Sequence, residues 1–195
     1  MNRKEQTMRV IAGKARSLRL KTPEGLDTRP TTDRIKETLF NMLMPYLSDA
    51  VFVDLFSGSG GIGIEALSRG ARHAYFVENQ KNALACITDN LNFTRLMEQA
   101  TIMKQDVLSA LGGIHEKEVD VIFMDPPYHQ DYEKHVLALL KDMPYMTDNT
   151  LIVIEAALDT DFSYLENMGY ALTKEKRYKT NKHVFCRKMQ KNLRM

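Results

Sequence analysis

The 195 residues carry 27 Lys/Arg against 25 Asp/Glu, with an apolar fraction of 44% and a charged fraction of 27%. That is the balance of an ordinary soluble globular chain, long enough for one domain with a sizeable core. No apolar run approaches a membrane span, the basic start MNRKEQTMRV lacks the apolar region of a signal peptide, and Cys86 and Cys186 form no metal-like cluster, so the expectation is a reduced, cytoplasmic protein without disulfide or metal. Met8 reads as a natural start, with residues 1–7 an extension of no structural role.

The charge is unevenly spread. Residues 1–36 hold ten Lys/Arg and four Asp/Glu, residues 37–173 eight and twenty, and residues 174–195 nine and one. An acidic body between two basic ends suits a polyanionic partner gripped by those ends. Both ends also contain apolar, strand-like patterns, which mere solvated tails would lack.

In chain order, RVIAGKARSLRLKTP (9–23) reads as two short basic strands about Gly13 and Lys14, a hairpin. RPTT (29–32) is a breaker and then a helix start. Thr32 or Asp33 can cap a helix whose apolar residues Ile35, Leu39, Met42, Leu43 and Leu47 keep helical spacing, with Pro45 at its fraying end. Then follow a strand at 51–56, a helix at 61–70, a strand at 73–78, a helix at 81–96, a strand at 100–106 and a short helix near 107–112. A strand at 119–125, a helix at 131–143, a strand at 150–156 and a short helix near 161–168 come next. YALTKEKRYK and KHVFCRK close the chain as an antiparallel pair.

Strands alternating with helices imply crossover units. The expected fold class is therefore α/β: a doubly wound, Rossmann-like, mostly parallel seven-stranded sheet with helices on both faces and an antiparallel C-terminal strand pair. Such sheets bind ligands beyond the carboxyl ends of their strands. That rule brings Asp54 to Gly63, Glu78, Asp106, and Asp125 to Tyr128 into focus.

DLFSGSGGIG (54–63) places Gly58, Gly60 and Gly63 in a G-x-G-x-x-G spacing between a strand and a helix. This spacing fits both NAD and S-adenosylmethionine. Glu78 ends the next strand, where a carboxylate would bind ribose hydroxyls in either cofactor. Asp54 separates the two. An acid beside the loop repels a pyrophosphate, whereas S-adenosylmethionine brings an ammonium and a sulfonium that acids favour.

FMDPPYHQ (123–130) is the second constellation. Proline fixes its own φ, lacks an N–H and pushes its predecessor towards extended geometry, so two prolines end a strand abruptly. Asp125 and Tyr128 stand at that tip and have no evident role in hydride transfer.

With the Gly-rich loop upstream, D-P-P-Y looks like the (N/D)-P-P-(Y/F) motif of amino-group methyltransferases. More narrowly, the chain from Met8 to about residue 160 resembles the RsmD family of bacterial methyltransferases, which act on guanine N2 of small-subunit ribosomal RNA. The matching stretches are MRVIAG (8–13), RPTTDRIKETLFN (29–41), VDLFSGSGGIGIEALSRG (53–70), FVE (76–78) and DPPY (125–128). The C-terminal YKTNKH departs from the glycine-containing turn expected there.

The resemblance implies S-adenosylmethionine as methyl donor, held by Asp54, Phe56, Gly58, Ser59, Gly60, Gly63, Glu78, Asp106 and Asp125. It implies a basic hairpin extension over residues 1–30 and a class I methyltransferase domain over 31–195. Asp125, Pro126 and Tyr128 become the catalytic residues. Arg9, Lys14, Arg16, Arg19, Arg29 and Arg34 become RNA contacts, with ribosomal RNA, free or in an assembling small subunit, as partner of a monomeric enzyme.

The chemistry follows from the parts. An exocyclic amine is a poor nucleophile because its lone pair is delocalised into the ring. Two acceptors, the Asp125 carboxylate and the Pro126 carbonyl, can bend it towards tetrahedral geometry. Tyr128 offers a face on which a displaced base can stack. Asp106 reads either as an acceptor for the adenine amine or as a surface acid, His129 as a solvated loop residue, and Glu155 as a strand terminus. A nicotinamide oxidoreductase, a non-catalytic RNA-binding module, and DNA adenine-N6 or protein glutamine methylation are the competing readings.

Overall fold

The computed structural model describes residues 8–23 and 32–190. Seven strands form one sheet: β1 (Val51–Asp54), β2 (His73–Glu78), β3 (Ala100–Lys104), β4 (Val121–Met124), β5 (Leu151–Ala157), β6 (Tyr170–Arg177) and β7 (Asn181–Lys188). Among the described residues, α1 (Asp33–Leu43) precedes the sheet, and α2 (Gly61–Ser68), α3 (Lys81–Thr94), α4 (Val107–Ala110) and α5 (Tyr132–Leu140) connect its strands β1 to β5. The strand order is β3-β2-β1-β4-β5-β7-β6, parallel from β3 through β5, with β7 antiparallel to both β5 and β6. This is the expected Rossmann-like sheet, with order reversing between β1 and β4.

Both faces of the sheet are covered, so its central strands are apolar on either side. Along β1, Val51 and Val53 face a core closed by Ala110, Val136, Leu137 and Leu140 of α4 and α5. Phe52 faces the other core, with Leu39, Phe40 and Leu43 of α1 and Ile64 and Leu67 of α2. Among the described residues no helix is long and apolar enough to cross a membrane.

The element ends follow local chemistry. Thr32 caps α1 by accepting from the Ile35 amide, and a 3-10 turn carrying Pro45 ends that helix. The short helix expected near 161–168 is absent; residues 163–169 are turns. There Asp161 accepts from both the amide and the hydroxyl of Ser163, giving the backbone a local alternative to helical bonding.

The N-terminal hairpin is also slighter than expected. It is a loop closed by a single antiparallel bridge, Arg9 to Arg19, rather than two strands. What it lacks in ladder it gains in anchoring. The Glu65 carboxylate, fully buried in α2, accepts from the Ile11 and Ala12 amides at 2.7 and 3.0 Å. Arg69 Nε at 2.7 Å and Lys36 Nζ at 3.6 Å complete its partners, and Lys36 also donates to the Arg9 carbonyl. At the loop tip a Cβ on Gly13 would lie 1.8 Å from the Ser68 carbonyl oxygen, so only glycine lets the hairpin lie on α2.

Candidate active site

Sheet register builds the site. Asp54 ends β1 opposite Phe123, and the Leu55 amide donates to the Phe123 carbonyl at 2.9 Å. Met124, the last residue of β4, lies opposite Ile154 of β5. Asp54 and Asp125 therefore come to the carboxyl ends of β1 and β4, with Glu155 alongside within β5, each at most one residue beyond these pairings.

Asp54 is 1% exposed. Its Oδ2 accepts from the Gly63 amide at 3.2 Å, while Oδ1 is buried without a hydrogen-bond partner. Burial pushes its carboxyl up to about 7, against the pull of the Gly63 amide and helped by the charge of Glu78. Gly58 and Gly60 turn the loop with left-handed φ of 51° and 81°, and a side chain at Gly58 would meet open space. Gly63 serves packing instead, since a Cβ there would lie 2.4 Å from the Phe76 ring, and its absence seats α2 on the sheet. Ser59 and Phe56 are turned to protein neighbours, the Ser59 hydroxyl to Met8 sulfur and the Phe56 ring edge-on to Tyr132.

Glu78 is held by three backbone amides, Gly58 at 3.0 Å, Asn79 at 2.9 Å and Gln80 at 2.8 Å. Its carboxylate is thus fixed where β2 ends beside the glycine loop. Asp106 caps α4 through the Leu108 amide at 2.9 Å and is exposed.

Asp125 is pushed well above the usual carboxylate range, first by burial and then by the charges of Glu155 and Asp54. Pro126 is buried and Tyr128 is 39% exposed. Burial, and then the charges of Glu155 and Asp125, also raise the Tyr128 hydroxyl. Just beyond, His129 and Asp131 adopt left-handed φ of 62° and 53°, a local strain of the sort that gathers at functional loops. This loop and the end of β5 enclose a cavity of about 230 Å³, lined by Pro126, Tyr128, Lys134, Glu155 and Tyr164 among others.

The profile of the family described as Conserved hypothetical protein 95 matches residues 8–187. The chain belongs to the RsmD family. Ribosomal RNA small subunit methyltransferase D of Haemophilus influenzae is 39% identical over 173 residues, 87% of this chain and 88% of that protein. The Escherichia coli protein of the same name is 35% identical over 155 residues, 78% of this chain and 76% of its own. The solved structure of the Escherichia coli methyltransferase yhhF superposes with a TM-score of 0.82 at 30% identity, covering 95% of this chain and 99% of that one.

Within this RsmD-family chain, the expected RNA contacts are scattered over one basic end. Arg9 pairs with Asp33 at 2.7 Å and Lys14 donates to the Gln99 side chain. Arg16 and Arg34 are exposed and Arg19 borders a second, shallow cavity beside Asp89 and Phe93. Arg29 and the expected extension at residues 1–7 lie outside the described residues.

Four residues given no role from the sequence, Glu155, Tyr178, Asn181 and His183, form one hydrogen-bonded network, and Glu155 lines the cavity. Glu155, read as a strand terminus, is 6% exposed and accepts from Asn181 Nδ2 and, at 3.1 Å, from His183 Nε2. The Tyr178 hydroxyl lies 3.1 Å from His183 Nδ1. The YKTNKH stretch is thus a tight β6–β7 turn, closed by the Tyr178 amide donating to the Asn181 carbonyl at 2.8 Å. A signal was present in the sequence: a polar Glu inside LIVIEAA and a His inside NKHVF are costly to bury without partners.

Proposed function

We propose that this protein transfers a methyl group from S-adenosylmethionine to ribosomal RNA, and that the acceptor is the N2 amine of a guanine in the small-subunit (16S) RNA. The observation that carries this reading is the file of three carboxylates, Asp54, Asp125 and Glu155, on adjacent strands beside a glycine loop and a Tyr-lined cavity. The names of the Haemophilus influenzae and Escherichia coli relatives support RNA of the small subunit as substrate.

The residues present fit the cofactor. Asp54 Oδ1, buried and unpartnered, suits a cationic group. Glu78, fixed by three amides, suits paired ribose hydroxyls, and Asp106 at the tip of β3 suits the adenine amine. When bound, S-adenosylmethionine supplies an electron-poor methyl on sulfonium. Asp54 beside the loop is unsuited to a pyrophosphate, so NAD is not expected to bind.

Asp125 and the Pro126 carbonyl are the acceptors for the amine N–H groups, and Tyr128 is the stacking face for the displaced base. As nitrogen gains the methyl group it sheds one proton. The raised proton affinity of Asp125 makes its carboxylate, when ionised, a suitable acceptor for that proton. The basic residues of the hairpin supply phosphate contacts, which position RNA without reading its sequence.

Small subunits and free 16S RNA from cells lacking this protein, incubated with it and labelled methyl donor and then digested to nucleosides, test the reading. N2-methylguanosine is the expected product. Label in adenosine, or none in either substrate, would overturn it.

A further inference from the structure

We infer that Glu155 determines the choice of base, accepting from the N1–H of a guanine whose N2 amine lies against Asp125. The inference rests on the guanine reading and deepens it. D-P-P-Y by itself grips any exocyclic amine, so something else in the cavity must tell guanine N2 from adenine N6 or cytosine N4.

Glu155 is where such a group is needed. It lines the same cavity as Pro126 and Tyr128, and its charge acts on both Asp125 and Tyr128. Sheet register puts it there: Glu155 pairs with His183 across β5 and β7, and Asn181 pairs with Ala157 two positions away. Asn181 donates to Oε1 and His183 Nε2 to Oε2. The Tyr178 hydroxyl lies 3.1 Å from His183 Nδ1, so the ring is held between Tyr178 and Glu155.

A carboxylate has about four lone-pair sites, and this network takes one on each oxygen. The remaining acceptor capacity belongs to the cavity. The Asn181 amide is a neutral donor, so it holds the carboxylate in place without cancelling its charge.

The chemistry of the bases then decides. Guanine presents N1–H beside its N2 amine, two donors in a row. Adenine presents a lone pair at N1 beside its amine, and cytosine a lone pair at N3. A carboxylate beside the amine-gripping Asp125 accepts from the first and repels the other two. A site built around hydrogen bonding discriminates strongly, because the wrong partner leaves buried polar groups unpaired.

The test uses small subunits reconstituted with guanosine or 2-aminopurine at the methylated nucleotide. 2-Aminopurine keeps the C2 amine but carries a lone pair at N1. The parent enzyme should prefer guanosine by roughly 10- to 100-fold in kcat/KM. Glu155→Gln, which can turn its amide N–H to that lone pair, should bring the two substrates to within a few-fold of each other. Glu155→Asp, which keeps the carboxylate, should lose rate but retain the preference. Parental rates equal on the two substrates, or a Glu155→Gln enzyme equally slowed on both, would overturn the inference. If Glu155→Gln fails to fold, judged by its melting temperature, the parental comparison decides alone. No transfer to the guanosine particle by the parent enzyme would instead overturn the guanine reading itself.

Discussion

Two groups of buried or half-buried carboxylates in this molecule are built on opposite plans. Glu65, inside α2, faces four donors, two of them cationic, and ties the N-terminal hairpin and α1 together. Asp54 and Glu155 have amide and imidazole donors, and among the described residues neither Asp54 nor Asp125, beside them on the neighbouring strands, forms an ion pair. The first group is complete within the protein. The second is short of positive partners, and the raised carboxyls of Asp54 and Asp125 register that shortage. Acids held ready without cations are suited to a ligand that brings its own charge and N–H groups.

The widest separation between the groups should appear in Asp125→Ala. Single-turnover methyl transfer should slow by on the order of 10²–10⁴-fold, the range for a positioned proton acceptor. Cofactor and RNA affinity should change far less, since the interaction is made mainly in the transition state. Asp125→Asn, which can still accept, should retain more activity. A near-parental rate in the alanine enzyme would reduce D-P-P-Y to a turn.

Glu65→Ala should do the reverse. It strands Lys36, 1% exposed, beside two released amides. Urea unfolding should show a loss of about 3–5 kcal/mol, the usual cost of breaking a buried pair. A change below about 1 kcal/mol would mean that the hairpin is not anchored through this carboxylate.

Asp54 allows a comparison of sign. Its folded carboxyl, raised to about 7 from 3.8, binds a proton more tightly than in the unfolded chain. The stability it contributes is present below about pH 4 and is lost as pH rises through about 7. Asp54→Asn should remove that decline and be the more stable protein at about pH 8, by at most about 4 kcal/mol at about 1.36 kcal/mol per pH unit. Cofactor affinity, measured by calorimetry, should fall in the same variant. Lower stability of the variant at that pH would mean that Asp54 is satisfied within the protein, as Glu65 is.

Smaller effects are expected at the rim. Glu78→Ala should weaken S-adenosylmethionine by about 1.5–3 kcal/mol for each charge-assisted hydrogen bond removed. Neutralising Arg9, Lys14, Arg16 and Arg19 together should lower RNA affinity across sequences and flatten its salt dependence by up to about 0.9 for each phosphate left without a cation. Salt-insensitive binding by the parent would assign the hairpin another role.

Much of the architecture was legible in the residues alone. Alternation of apolar strands with amphipathic helices determined the α/β sheet, because periods of two and of about 3.6 residues bury different faces. Local chemistry determined the glycine loop, the Thr32 cap and the abrupt end at Pro126 and Pro127, since each depends on neighbours a few residues away. Two expectations failed because side chains took the backbone's bonds. The helix expected near 161–168 lost to the Asp161–Ser163 turn, and the two hairpin strands shrank to one bridge because Glu65 and Ser68 took their amides.

Only the tertiary structure decided what each acid does. Glu65 and Glu155 look alike in sequence, each a glutamate within an apolar run. Packing gave one of them Lys36, beside its helix neighbour Arg69, and the pairing of β5 with β7 gave the other His183 and Asn181, from 28 and 26 residues away. Burial and charge partners set a carboxylate's proton affinity, and both are properties of the assembled sheet rather than of any stretch of chain.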